Sequence, residues 1–183
     1  SVGAVEEGSI NLSDYHVVDY ILGRQTSSTE NMRPAKTFSP QLQSRLTDYT
    51  NHGGRLFVSG SHIGSDMQQP EEQDFISRIL GVTYGGYIPA DSCETIVGLN
   101  LRLPIYHQPS ARHYAVGHPD ILQPATDKAF PAFAYTMGYA AGVAYQADTH
   151  KAITMAVPFE CISDANLQGM VMRAIIFYLL DKG

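Results

Sequence analysis

Gly60-Ser61-His62-Ile63-Gly64 has the spacing of a nucleophile elbow, the sharp turn after a strand that lifts one side chain clear of the sheet. The apex usually carries Ser or Cys; here it carries His62. An imidazole can bind a ligand, carry a proton or hold a metal, but it is a poor acyl acceptor for amides. The plainer reading is a hydrogen-bonding side chain that fills the space above the turn. Ser61 lies one position off the apex, and Asp66 either starts the next segment or lines the pocket. A second candidate turn is Pro158-Phe159-Glu160. If Glu160 lies close to His62, it favours the imidazolium and raises the His62 pKa. The third is the stretch YHQPSARHYAVGHPD, which holds Tyr106, His107, Arg112, His113 and Tyr114. Stacking faces and hydrogen-bond donors occur there together, as a saccharide or a neighbouring domain would need. Its histidine spacings match no zinc signature, so no metal is assigned. A solvated loop is the ordinary alternative.

The elements that must position these residues follow from local pattern. Tyr15 to Gly23 is rich in β-branched and aromatic residues and reads as a strand. The polar run 24–38 reads as a loop. Ser39-Pro40 is a helix start, with Leu42, Leu46 and Tyr49 on one face. Leu56-Phe57-Val58 is a short strand apolar on both faces, as in a covered parallel sheet. Glu71 to Leu80 reads as a helix with acidic residues in its first turn and Gly81 as its stop. Residues 82–147 change character, with short strand-like runs (Thr95–Leu99, Ala140–Tyr145) that predict antiparallel hairpins and long loops. Ala152–Val157 is a strand, and Ser163-Asp164 caps a final helix that is apolar at Leu167, Met170, Val171, Ala174, Ile175, Tyr178 and Leu179. The order predicts an α/β fold: a flavodoxin-like three-layer sandwich with a mainly parallel sheet and ligands at the strands' carboxyl ends. The absence of repeats or linkers predicts one domain over 1–183.

Composition narrows the function. A net charge of -6 without a Lys/Arg cluster argues against nucleic acid and anionic membrane as partners. No phosphate loop with its Lys is present, and no cofactor is implied. Cys93 and Cys161 match no metal or redox spacing and read as buried thiols.

On the elbow and the Pro158-Phe159-Glu160 turn, the chain resembles the class I glutamine amidotransferase-like superfamily. Active members of that family carry G-x-C-x-G and a later H-P-E. Here His62 stands at the cysteine position and Pro158 at the histidine position, and only Glu160 remains. The runs DYHVVDYILGRQ, KTFSPQLQSRLTDYTNHGGRLFVSGSHIGSD and ITMAVPFECI resemble a domain of secreted bacterial proteins labelled xanthan lyase-like or golvesin-like. The resemblance implies an excised domain whose first β-α unit lies upstream. It also implies a secreted, periplasmic or cell-surface setting, with carbohydrate and other domains of the parent protein as partners. Lost catalytic positions imply a pseudoenzyme, a non-catalytic module for structure or binding. The alternative is a hydrolase or polysaccharide lyase of altered mechanism that uses His62 and Glu160.

Overall fold

The computed structural model describes residues 1–27 and 35–181. The polar loop expected over 24–38 is therefore described at its two ends, and 28–34 lie outside the described residues. Along the chain run α1 (Val2–Glu6), β1 (Val18–Gly23), α2 (Pro40–Asn51), β2 (Arg55–Gly60) and α3 (Pro70–Phe75), the last continued by a π-helical turn, Ile76–Leu80. Then come β3 (Val82–Tyr87), β4 (Thr95–Gly98), β5 (Leu101–Pro104), β6 (Asp120–Pro124), β7 (Ala129–Tyr135), β8 (Ala140–Gln146), β9 (Lys151–Met155) and α4 (Ala165–Leu180).

Seven strands form one sheet in the order β1-β2-β9-β8-β7-β4-β5, and β3 pairs with β6 in a separate two-stranded ribbon. β1, β2 and β9 are mutually parallel, whereas every pairing from β9 outward to β5 is antiparallel. The α/β class and the hairpins within 82–147 therefore stand. The expected mainly parallel sheet becomes a mixed one, because β4, β5, β7 and β8 join the main sheet instead of decorating it. Three parallel strands in this order do not establish the flavodoxin-like sandwich.

Local chemistry explains the ends of the helices. The Ser39 hydroxyl accepts from the Leu42 N–H at 3.1 Å, and Pro40 begins α2. Asp164 accepts from the N–H groups of Asn166 and Leu167 at 2.8 and 3.0 Å and so caps α4. At the other end of α4, the buried Lys151 ammonium donates to the carbonyls of Tyr178 and Asp181 at 3.4 and 3.0 Å. A cation on the last carbonyls satisfies acceptors that the helix itself leaves open.

Two hydrophobic cores flank the sheet. On one side Leu42, Leu46 and Tyr49 of α2 and the Ile76–Leu80 turn pack over Val58 and Ala152. On the other, Val171, Ile175 and Leu179 of α4 pack over Phe57, Ile153 and Met155. β2 and β9 are covered on both faces, which explains their continuous apolar character.

The β8–β9 contact is tight enough to test. A Cβ on Gly142 would overlap the Thr154 carbonyl oxygen and sit 2.9 Å from the Phe133 ring. Gly169, on α4, has nothing within 4 Å of its Cβ position. We expect Gly142→Ala to cost about 1–3 kcal/mol through overpacking. Gly169→Ala should gain up to about 1 kcal/mol through helix propensity. Urea denaturation of the two variants checks the contrast.

Candidate functional site

The turn after β2 is held tightly from below. A Cβ on Gly60 would sit 2.5 Å from the Leu22 Cβ, so only glycine lets β1 approach here. The Ser61 N–H then donates to the Gly23 carbonyl at 2.8 Å. His62 adopts φ 62°, in the left-handed region that a non-glycine residue enters at a cost of roughly 1–2 kcal/mol. Such an outlier persists only where its surroundings enforce it.

Much of that enforcement comes from Asp120, which is fully buried. Its Oδ2 accepts from the N–H groups of Gly64 and Ser65 at 2.7 and 2.9 Å, and its Oδ1 lies 2.9 Å from the His118 Nδ1. A carboxylate at that distance fixes the proton on Nδ1 and leaves the His118 Nε2 as an acceptor when the ring is neutral. The His118 ring stacks on His62 at 4.4 Å and 21°, and the Tyr87 ring packs against His118 at 4.4 Å and 33°. Three rings thus form a ladder. Its inner rung, His62, is half-buried with its Nδ1 3.2 Å from the Ser65 hydroxyl. Its outer rung, Tyr87, is 59% exposed.

Asp66 buttresses the turn from the other side. Its carboxylate accepts from the Thr37 N–H at 2.8 Å, the Ser27 N–H at 3.1 Å and the Thr37 hydroxyl at 3.1 Å, and from the Ser27 hydroxyl. Lys36 donates to the Asp66 carbonyl and pairs with Glu72 at 2.9 Å. Asp66 therefore ties down both described ends of the 24–38 loop, and its carboxylate is occupied within the protein. Ser61 is also fully buried, and its hydroxyl has no hydrogen-bond partner among the described residues.

Glu160 takes a partner other than the expected one. Its carboxylate accepts from the Tyr114 hydroxyl, and both groups lie over Gly23, at 3.6 and 3.2 Å from its Cβ position. Burial, and then the bond to Glu160, push the Tyr114 pKa upward. The charges that act on His62 belong to His118, Asp120, Asp66 and Arg24, and Glu160 is not among them. The expected rise of the His62 pKa is therefore reversed. Burial, followed by the His118 charge, lowers it, and Asp120 and Asp66 oppose the fall only in part.

The central loop divides. Its far end, Tyr114 to Asp120, reaches the elbow. Its near end folds on itself: Tyr106 and His113 stack at 3.5 Å, Tyr106 donates to the Ser163 carbonyl at 3.4 Å, and His107 sits 3.8 Å from Glu94. Arg112 is exposed and its N–H donates to the Ser110 hydroxyl. Among the described residues, none of these four has a hydrogen bond, ion pair or ring contact with His62. Among the described residues, no group of three or more His, Cys, Asp or Glu side chains is placed to hold a metal ion. Cys93 and Cys161 are free and buried, and burial pushes both thiols up to about 12, far from the reactive thiolate range. No helix among the described residues is long and apolar enough to cross a membrane.

No protein-family model and no curated protein matches this chain. Solved structures do. A β-galactosidase from the Antarctic haloarchaeon Halorubrum lacusprofundi aligns over 97% of this chain and 25% of its own, at TM-score 0.58 and 17% identity. Exo-β-1,4-mannosidase Op5Man5 from Opitutaceae bacterium strain TAV5 aligns over 93% of this chain and 26% of its own, at 0.54 and 10%. Gan42B, a GH42 β-galactosidase, aligns over 93% and 22%, at 0.57 and 9%. The chain thus spans about a quarter of each of these proteins, and at such identities the likeness is one of fold. These findings correct the assignment to the glutamine amidotransferase-like superfamily and to xanthan lyase-like proteins. The three neighbours just named are glycosidase chains, and the quoted runs find no family model. The reason is physical: a Gly-x-x-x-Gly turn after a strand is a local solution to a tight backbone path, and it carries no family by itself. The pseudoenzyme label and the exported setting rested on that resemblance and lose their support with it.

The sign of the His62 shift yields a test. Its folded pKa lies below the ordinary 6.5, so the unfolded chain takes up the proton first. The stability held by neutral His62 is complete above that value and declines as the pH falls through it. His150, lowered by burial, acts in the same direction. We expect the urea midpoint to fall between about pH 7 and about pH 5, and His62→Gln to remove part of the fall. By proton NMR the His62 ring should titrate below 6.5.

Proposed function

We propose that this is a carbohydrate-associated domain whose elbow site binds a saccharide. The observation that carries the reading is the Tyr87–His118–His62 ladder. An exposed aromatic face offers contact to the apolar C–H face of a sugar ring, and the imidazole edges beneath it offer hydrogen bonds to hydroxyls. The rings are pre-positioned by Asp120 and Ser65, so little ordering is required on binding. Three structural neighbours, two β-galactosidases and a mannosidase, support the ligand class.

A second reading, hydrolysis at the elbow, is favoured by one specific observation. His62 favours its neutral form, and the adjacent His118 is backed by a buried carboxylate. That pair has the parts for general acid–base work. In this reading His118 and Asp120 take the role first given to Glu160.

Titration with galacto- and manno-oligosaccharides, followed by 1H–15N NMR, tests both. Binding should shift the signals of Tyr87, His118 and His62. Tyr87→Ala should weaken it about threefold to tenfold, the equivalent of one stacking contact. His62→Gly, which suits the backbone at φ 62°, should weaken it too. Failure of every sugar to bind, or binding indifferent to both variants, sinks the proposal. Release of new reducing ends, abolished in His118→Ala, would move the conclusion to the second reading.

A further inference from the structure

α4 carries more apolar residues than one buried stripe can hold. Val171, Ile175 and Leu179 enter the core against Phe57, Ile153 and Met155. Met170 and Phe177 do not. They are 53% and 77% exposed, and Phe177 is the most exposed large apolar side chain among the described residues. The solvent side of a helix is ordinarily charged and polar, and an apolar one marks an interface. A trough of about 920 Å³ runs along this side, lined by α4 and its C-cap.

The lining matches itself. Gly169, Arg173 and Phe177 form one row at intervals of four, and Met170, Ala174 and Tyr178 form the next. A second α4, turned by 180° about the point between Arg173 and Ala174, lays each row along the other. Gly169 then faces Tyr178, Arg173 faces Ala174 and Phe177 faces Met170. Two of these pairs set a large side chain against a small one. Gly169 has nothing within 4 Å of its Cβ position, so it leaves room for a ring. The third pair sets a thioether against an aromatic ring, which is favourable in itself. Each pair recurs on the other side of the axis, as a two-fold interface requires. An unrelated partner has no need of a surface that matches itself; a second copy does.

We infer that the outer face of α4 is the contact surface for a second copy of this chain, joined as an antiparallel helix pair about a two-fold axis. This goes beyond the saccharide reading and uses no residue of the ring ladder. A standard interface engages about 20–30 residues a side. One helix face supplies fewer, so the dimer is weak and reversible.

Sedimentation equilibrium gives the first test. We expect a monomer–dimer equilibrium with a dissociation constant of about 10–100 μM, weakened about tenfold or more in Phe177→Asp. Far-UV circular dichroism of that variant should be unchanged, because the replaced ring is exposed. Cross-linking then reads the pairing. Under mild oxidation by diamide, a mixture of Met170→Cys and Phe177→Cys should form a disulfide-linked dimer. Neither variant alone should, because each position lies about 10 Å along the axis from its own equivalent. Cys93 and Cys161 are buried and do not compete. Three results would overturn the proposal: a monomer up to about 1 mM, a dimer equally stable in Phe177→Asp, or no preference of the cross-link for the mixture. Phe177→Asp should leave saccharide binding unchanged, and Tyr87→Ala should leave the dimer unchanged, so the two readings fail separately.

Discussion

The carboxylate of Asp120 is the constraint on which this structure turns. It is a fully buried group, and a charge can remain there only if its oxygens are hydrogen-bonded. Three partners come from two places: the N–H groups of Gly64 and Ser65 in the turn after β2, and His118 two residues earlier in the chain. The backbone of the same residue accepts from the Tyr135 hydroxyl at 2.6 Å, which links it to β7 of the main sheet. One residue thus joins the β3–β6 ribbon, the main sheet and the elbow. The position of His118 over His62, and of Tyr87 over His118, follows from that junction.

Asp66 does comparable work on the opposite flank. Its carboxylate gathers Ser27 and Thr37, and Lys36 reaches its carbonyl, so both described ends of the 24–38 loop close on the same turn. The φ of 62° at His62 is sustained between these two carboxylates. The elbow is therefore rigid for a reason independent of catalysis. A turn braced by two buried acids must hold its apex side chain in one place whatever chemistry that side chain performs.

How much of this was legible in the sequence depended on range. Ser39-Pro40, Gly81 and Asp164 act through neighbours three or four residues away, and the structure places helix ends at each. The burial of β2 and β9 on both faces was likewise written in their apolar runs. The strand order was not legible. Whether β8 lies beside β9 or elsewhere is decided by contacts such as Gly142 against Thr154, and no local pattern encodes those. The site shows the same division. His62 was visible from its turn, but its true neighbours were not. Gly64 and Asp120 are 56 residues apart, and a His-Pro-Asp segment in a polar loop resembles any other solvated loop. Glu160 was assigned to His62 by the analogy of motif order. Tyr114, which actually holds it, carried no signal beyond its place in an aromatic stretch.

The chemistry of the elbow follows from what stands beside His62. Acyl transfer by this route needs a thiolate and a base oriented toward it. The apex here offers an imidazole whose burial favours the neutral form, stacked on a second imidazole whose Nδ1 is committed to Asp120. Two imidazoles 4.4 Å apart resist carrying two positive charges at once, and His118 accordingly opposes protonation of His62. The exposed Tyr87 ring extends the same surface toward solvent.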